Sequence, residues 1–563
     1  MPEHRSLPRS GPGGVPTAYE DHFAADNLPP RALWPQFNYD SLPELAAYPD
    51  RMNCGKILLD DMVAAGHGDR PVLHLDDATW TYGELENLSN RIARVLVEDL
   101  GLIPGNRVLL RAGNTPMLVA TWFGVLKAGG ICVATMQLLR ARELVYVIEK
   151  AQISHALCDL SLAEDMEDAR NRTSDTCRQL MYFSALGNNP ADCSLDRVIQ
   201  DRPGDFTPCD TAADDTALIA FTSGTTGDPK ATMHFHRDVI AMCDCFPRYL
   251  DMAGPDDIFT GTPPLAFTFG LGGLTTFPMR FGASTRFFSA PMMPEQTLEA
   301  IQRYKITGLY TAPTAYRIMA GLADKFDLSS LTKCVSAGET LPKATWEAFH
   351  KATGIPIVDG LGSTEMLHIF VSASRDKMRP GYTGTAIPGY EARVVDEDGN
   401  TLGPGVPGLL ATRGPTGCRY LADEARQQNY VRDGWNYPGD VYEMSDDGYF
   451  RYVARADDMI ISAGYNISGP EVEAALLDHP DVLECAVIGA PDEARTNIVK
   501  AFIVLRNGSG NDALVKTLQD FVKAEIAPYK YPRAIEFVTE LPKTETGKLQ
   551  RFRLRQQETE KES

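Results

Sequence analysis

The stretch Thr222-Ser223-Gly224-Thr225-Thr226-Gly227-Asp228-Pro229-Lys230 constrains this chain more than any other. Ahead of it runs Ala217-Leu218-Ile219-Ala220-Phe221, with the length and composition of a buried strand. A buried strand therefore empties into a segment rich in hydroxyls and glycine and closed by a lysine. Glycines let a backbone approach a bulky anion, hydroxyls and N–H groups donate to phosphate oxygens, and a lysine adds a point charge. The alternative is an ordinary surface turn; the hydroxyl pairs and the Pro-Lys exit favour a triphosphate cradle. The usual P-loop spaces its glycines more widely and puts Ser or Thr directly after the lysine. Here Thr225-Thr226 alone separate the glycines, and Ala231 follows Lys230. A magnesium ligand must therefore come from elsewhere in the chain.

Composition bounds the setting. A length of 563 residues corresponds to about three to four domain-sized units. Hydrophobic content of 44% and charged content of 23% are those of a soluble globular protein. Lys+Arg 54 against Asp+Glu 75 leaves a net charge of −21, with no extended basic run. That argues against nucleic acid or an anionic membrane as main partner, and a polyanionic ligand must be held by a local site. The eleven cysteines form no CxxC pair, and Cys243 and Cys245 have no ligand-spaced histidines beside them. A reduced, cytoplasmic protein is expected. Residues 1–16 read as a disordered leader without an apolar core. The most apolar stretch, 117–136, is interrupted by Lys127, Gly129 and Gly130, so it predicts a buried helix, a turn and a strand, not a membrane span.

Along the chain, strand-like and helix-like pieces alternate from Val72 onward. Thr81-Tyr82-Gly83-Glu84 is a capping-box signature, followed by Leu85, Leu88, Ile92 and Val95 at helical spacing. Val108-Leu109-Leu110 reads as a strand, and the alternation resumes after Lys230 through Phe259, 285–288 and 309–312. Such alternation predicts an α/β fold with mainly parallel, helix-covered sheet. Between 383 and 414 short strands broken by Gly and Pro suggest a small β subdomain. Near Arg455 the texture changes again. Ser468-Gly469-Pro470-Glu471 is a second capping box, and the helices and strands through 538 make a compact α+β unit.

Several further segments carry chemistry-bearing groups. Asp359-Gly360-Leu361-Gly362-Ser363-Thr364-Glu365 follows the apolar run 355–358; its glycines suggest close approach to a ligand, and Glu365 is a hard oxygen donor suited to magnesium. The alternative there is a strand-to-helix turn with a first-turn Glu on the helix dipole. Ser336-Ala337-Gly338-Glu339 ends another apolar piece. Asp440, in Trp435-Asn436-Tyr437-Pro438-Gly439-Asp440, could accept two ribose hydroxyls or be a solvated loop acid. Pro542-Lys543-Thr544-Glu545-Thr546-Gly547-Lys548 places a lysine on a terminal loop, where a plain surface lysine is the competing reading.

In order and spacing these segments resemble the adenylate-forming superfamily of acyl- and aryl-CoA ligases, luciferases and peptide-synthetase adenylation modules. The resemblance spans residues 50–555 and is strongest to benzoate– and 2-aminobenzoate–CoA ligases. It rests there on Leu265-Ala266-Phe267-Thr268-Phe269-Gly270-Leu271-Gly272-Gly273, 362–370 (GSTEMLHIF) and 457–466 (DDMIISAGYN). It implies a large N-terminal domain, 17–456, of two helix-covered sheets plus a small β subdomain, then a small mobile α+β domain, 457–563. By that resemblance Thr222, Ser223, Gly224, Thr225, Thr226, Gly227 and Lys230 grip the β- and γ-phosphates of ATP, Glu365 carries Mg²⁺, and Thr364 touches the α-phosphate. Gly338, Glu339 and Asp359 line the adenine, with Thr340, Gly360, Leu361, Gly362 and Ser363 in the same nucleotide site. Asp440 and Arg455 hold the ribose, with Tyr452 nearby. Lys548 bridges carboxylate and phosphate in the first half-reaction; Asp457 is the hinge, and Gly464 with Tyr465 lines the path of coenzyme A.

The chemistry accounts for these residue types. A carboxylate and a triphosphate repel, so attack on the α-phosphorus needs charge neutralisation and in-line positioning. A thiol can then displace AMP once Lys548 has swung away and the side-chain-free Gly464 lets the pantetheine arm pass. Three positions depart from the common pattern: Leu361 where many relatives have an aromatic, Ala454 in place of Gly, and Ile461 where many have Lys. Phe267, Thr268 and Phe269, with Gly362, Met366 and His368, are expected to wall the acid pocket; two phenylalanines favour a ring or another broad apolar face, and plain core packing is the competing reading. Thr268 stands where amino-acid adenylating modules carry Asp, which argues against an α-amino acid. Benzoate or 2-aminobenzoate is the expected carboxylic acid, with a bulkier alicyclic or terpenoid acid as the alternative. CoA is the expected acceptor, a carrier protein the alternative; a luciferase-like oxygenase or an inactive binding protein is the competing class. A monomer or homodimer is expected.

Overall fold

The computed structural model describes residues 14–222, 229–288, 292–462, 465–492, 496–526, 528–543 and 549–562. The chain divides into two compact units. The first takes the described residues up to Thr222, then Pro229–Ala392 and Thr412–Asn436; the second takes Arg393–Ala411 and the chain from Tyr437 onward.

Among the described residues the first unit holds two large sheets, besides the short antiparallel pair Val431–Arg432 and Trp435–Asn436. One is six-stranded, in the order Gln179–Phe183, His155–Asp159, Arg107–Arg111, Ile131–Thr135, Thr216–Thr222 and Lys230–Phe235. All its neighbours are parallel except the last pair, which is antiparallel. The other is nine-stranded, with Ile357–Gly362, Lys333–Ala337, Gly308–Thr311, Ile258–Gly261, Ser284–Arg286 and Pro71–His74 as its parallel interior. Parallel strands are covered on both faces, so they bury every position; Arg107–Arg111, His155–Asp159 and Lys333–Ala337 do so throughout. Leu309, Cys334 and Ile357 pack under Leu298, Ile301, Tyr316 and Phe349, which come from the covering helices.

Several local signals of the first unit are realised. Thr81 accepts from the Glu84 amide at 3.2 Å and its own amide donates to Glu84 Oε2 at 2.8 Å, closing a reciprocal cap on Tyr82–Arg94. Pro116–Lys127 is buried along its whole length, turns at Gly129 with φ +78°, and returns as Ile131–Thr135. The buried Lys127 ammonium is compensated by Asp60 at 2.9 Å and Asn90 Oδ1 at 2.8 Å. A buried charge persists only with such partners.

In the second unit Val482–Asp492 and Thr496–Leu505 form a long antiparallel pair, and Ala534–Phe537 runs parallel to the latter. Helices Gly469–Leu477 and Asp512–Glu525 cover one face through Val472, Leu476, Leu518 and Val522. The second cap is only half a capping box. Ser468 accepts from the Glu471 amide at 3.2 Å, but the Glu471 carboxylate accepts from Lys530 Nζ at 2.6 Å instead of returning to the cap. A cation beside a carboxylate outcompetes a backbone amide. Among the described residues no helix is long and apolar enough to cross a membrane, and all eleven cysteines are free.

Candidate functional site

Strand Thr216–Thr222 ends at Thr222, which lies opposite Lys230 on the antiparallel ladder. The two mouths of the hydroxyl-rich segment are therefore adjacent; Ser223, Gly224, Thr225, Thr226 and Gly227 lie outside the described residues. Lys230 opens the return strand, and its ammonium sits 5.9 Å from the centroid of the Tyr420 ring. The Tyr420 hydroxyl donates to Glu365 Oε1 at 2.7 Å. Burial and the adjacent Glu365 push the Tyr420 hydroxyl far above its ordinary range, so it is a donor.

Glu365 is reached by a route different from the strand-to-helix turn considered above. Strand Ile357–Gly362 runs through both glycines, and after a turn the chain returns antiparallel as Ile369–Ser372, with no helix between. The glycines serve this hairpin. A Cβ on Gly362 would lie 2.8 Å from the His368 carbonyl, and one on Gly360 would lie 2.4 Å from Ile369 Cδ1. Close approach here is to the neighbouring strand. Each residue of the turn is held separately: Ser363 Oγ is 3.3 Å from the Tyr430 hydroxyl, and the Thr364 carbonyl is 2.8 Å from His234 Nε2. Among the described residues no cluster of three or more His, Cys, Asp or Glu could form a metal cage. Magnesium bound through one carboxylate and substrate phosphates needs none, and the hard oxygens of Glu365 suit that role.

Ser336 and Ala337 pair with Asp359 and Gly360, so the strand ends leading to Gly338, Glu339 and Thr340 lie beside the strand that carries Leu361. Gly338 takes φ +86°, which turns the chain out of the sheet. Asp359 is 8% exposed, and burial pushes its carboxyl up to about 8 despite its Gly360 and Thr383 partners.

The expected acid-pocket residues divide. Phe269 packs on His368 with ring centroids 5.8 Å apart, and His368 lies against Phe277 at 4.4 Å and Phe246 at 5.9 Å. A Cβ on Gly272 would meet His368 Cδ2 at 2.3 Å, so glycine there lets the helix approach the imidazole. Burial lowers the His368 pKa to about 3, so the ring is neutral. Met366 is fully buried in the same turn, and its carbonyl accepts from Thr416 Oγ1 at 2.7 Å. Phe267 and Thr268 instead line a small apolar cavity with Trp122, Ala134, Leu265 and Leu271. Sequence reasoning missed Phe246, Phe277, Tyr420, Tyr430 and His234. A single aromatic or histidine on a helix or strand reads as ordinary core, and no spacing in the sequence sets these apart.

In the second unit Asp440 and Arg455 face each other across a hairpin of strands Asp440–Met444 and Phe450–Arg455, with Arg455 Nη1 3.2 Å from Asp440 Oδ1. Arg455 also donates to the Pro438 carbonyl at 3.0 Å. The Tyr452 hydroxyl is raised above its ordinary range by burial and by Asp440. Asp457 falls in the short helix Ala456–Asp458, and Tyr465 opens strand Tyr465–Ser468. Gly464 and Lys548 lie outside the described residues.

Comparison with known proteins covers both units. The model of the AMP-binding enzymes matches residues 61–420, and that of the AMP-binding enzyme C-terminal domain matches 471–548. A benzoate–CoA ligase of Thauera aromatica is 34% identical over 524 residues, covering 92% of this chain and 98% of its own. A 3-hydroxybenzoate–CoA ligase of Aromatoleum sp. (strain CIB) is 30% identical, covering 90% and 97%. The crystal structure of the anthranilate CoA ligase AuaEII in complex with anthranoyl-AMP superposes with a TM-score of 0.83 at 32% identity, over 91% of this chain and 98% of that one. This protein therefore belongs to the AMP-binding enzymes, as an adenylate-forming acyl- or aryl-CoA ligase.

Proposed function

We propose that the enzyme joins a small aromatic acid, of the benzoate or 2-aminobenzoate type, to coenzyme A by way of an acyl-adenylate. The observation that carries this reading is the cluster in which Tyr420 holds Glu365 while the Lys230 ammonium lies over its ring. A lysine and a carboxylate set in one rigid frame suit a nucleotide's phosphates and their metal. The aromatic cluster of Phe246, Phe269, Phe277 and neutral His368, reached from the same turn, supports a planar apolar acid.

Lys230 and the hydroxyls of 222–227 hold the outer phosphates, and the Thr364 hydroxyl meets the α-phosphate. Mg²⁺, when bound at Glu365, neutralises phosphate charge. Adenine lies along Gly338, Glu339 and Asp359, and Asp440 accepts the ribose hydroxyls while Arg455 and Tyr452 frame it. Lys548 draws the acid's carboxylate to the α-phosphorus; a carboxylate oxygen bonds to phosphorus and pyrophosphate departs. The domain from Asp457 onward then pivots, Lys548 withdraws, and the CoA thiol enters past Gly464 and Tyr465 to expel AMP.

A panel of benzoates, aminobenzoates, alicyclic and straight-chain acids, assayed for pyrophosphate release with and without CoA, tests the reading. Highest kcat/KM on a ring-substituted benzoate, with CoA-dependent turnover, is expected; preference for a straight-chain acid would overturn the aromatic assignment. The Lys548→Ala enzyme should lose adenylation of free acid yet still form thioester from premade acyl-AMP. Equal loss of both steps would overturn the split role of Lys548.

A further inference from the structure

Three residues in a row, Ser363, Thr364 and Glu365, are each pinned by a different side chain, and only one of these touches the carboxylate. Tyr420 is 2% exposed and comes from a segment lying alongside strand Lys230–Phe235. The Met233 amide donates to the Arg419 carbonyl at 2.8 Å, and the Leu421 amide to the Ala231 carbonyl at 2.9 Å. Tyr420 itself forms an antiparallel bridge with Thr232. Arg419 is fully buried and paired with Asp238, with its guanidinium 3.8 Å from the centroid of the Phe235 ring, so the segment cannot slide along the strand. The Tyr420 amide donates to Gln427 Oε1 at 2.9 Å, which fixes it from the other side. The residue is thus anchored by backbone on both edges, and its hydroxyl reaches a group that is far away in sequence.

We infer that Tyr420 is a positioning residue for the metal-bearing carboxylate: its hydroxyl engages Glu365 Oε1 and leaves Oε2 to face the cation. The inference rests on the reading of Glu365 as the magnesium ligand. A carboxylate on a flexible stem loses rotamer freedom when it takes one orientation, and a buried donor to one oxygen removes that freedom in advance. A neutral donor does this without cancelling the negative charge that attracts the cation. The same ring lies beneath the Lys230 ammonium, so one side chain sets the spacing of a phosphate-binding cation and a metal-binding anion. A Phe in its place would keep the ring and the packing but release Glu365.

Three enzymes decide the matter: wild type, Tyr420→Phe and Glu365→Gln. Each is assayed for pyrophosphate release against free Mg²⁺, and for binding of ATP with and without Mn²⁺ by calorimetry and Mn²⁺ electron paramagnetic resonance. For Tyr420→Phe the half-saturating Mg²⁺ should rise about 10- to 100-fold. Mn²⁺·ATP binding should weaken in parallel, while metal-free ATP binding and the KM for the acid stay as in wild type. Thermal unfolding identifies a merely structural role: a lowered midpoint with wild-type metal dependence, measured well below that midpoint, would overturn the inference. If Glu365→Gln shifts the metal dependence and Tyr420→Phe does not, the positioning role fails and the metal assignment stands. If Glu365→Gln leaves metal dependence at the wild-type value, the metal assignment itself fails and the inference goes with it.

Discussion

Two carboxylates in this molecule are both buried and both proposed to serve the nucleotide, yet they are partnered in opposite ways. Glu365, in the first unit, is 8% exposed and accepts from a neutral phenol. Asp440, in the second, is 7% exposed and faces the Arg455 guanidinium across a hairpin. A phenol orients a carboxylate without compensating its charge; a guanidinium does both. The first arrangement keeps a site hungry for a cation, and the second compensates the charge while the carboxylate stays a hydrogen-bond acceptor. On the proposed reading, the partner separates a metal-type carboxylate from a sugar-type one where residue identity alone does not.

The largest expected effect comes from Glu365→Gln, which removes charge but keeps size and one acceptor. If the phenol-held carboxylate neutralises phosphate charge through magnesium, pyrophosphate release should fall about 100- to 1,000-fold. Extra Mg²⁺ should restore little of it. A loss below tenfold would place the metal elsewhere and dissolve the contrast with Asp440.

How much of this was legible in the chain depends on range. The strand before the phosphate segment, the Thr81 cap and the helix–turn–strand around Gly129 are all local patterns, and the structure realises them. Glu471 shows where locality stops, because Lys530 takes the carboxylate that its own helix cap would have used. The pattern around Gly360 and Gly362 suggests room for a ligand, whereas both glycines admit the returning strand, a neighbour that a linear pattern does not reveal. Tyr420 is the extreme case: it is 55 residues from Glu365, and nothing in its flanks distinguishes it from a core tyrosine. The order of motifs identified the reaction; the side chains that orient them could be found only in three dimensions.

A pH-dependent effect comes next in size and sets Asp359 beside both carboxylates as one with neither phenol nor guanidinium on it among the described residues. Its folded pKa is raised from 3.8 to about 8. Between those values the folded protein keeps a proton that the unfolded chain releases. Stability from this group is therefore greatest at low pH and declines as pH rises through the window, by at most about 1.4 kcal/mol per pH unit. Asp359→Asn should remove that slope. The gap in unfolding free energy between variant and wild type should shift in favour of the variant from about pH 5 to pH 8. A pH-independent gap would show that Asp359 is ionised in the fold and belongs with Glu365 after all.

Asp440→Asn tests the sugar-type half of the contrast. Asn retains one acceptor, so the hydroxyl contact weakens instead of vanishing, and the KM for ATP should rise about tenfold, the size of one charge-assisted hydrogen bond. The dependence on Mg²⁺ should stay at its wild-type midpoint, because the ion pair with Arg455 contributes no cation site. A shift in metal dependence as large as that of Glu365→Gln would mean the two carboxylates do the same work despite their different partners.

The smallest effect separates the units by their helix caps. Thr81 and Glu84 close a reciprocal box, whereas Ser468 is a one-way cap because Glu471 is engaged by Lys530. Either Thr81→Ala or Ser468→Ala should cost about 1 kcal/mol of stability. The partner acids should behave differently. Glu84→Ala leaves the Thr81 amide without its acceptor, while Glu471→Ala leaves a half-buried Lys530 ammonium without its carboxylate, a contact worth more than a cap bond. Salt distinguishes them further, since an ion pair is screened and an amide–carboxylate cap in the first turn less so. If Glu471→Ala proves as mild and as salt-insensitive as Glu84→Ala, Lys530 is solvated in solution and the second box closes on its own cap as its sequence predicts.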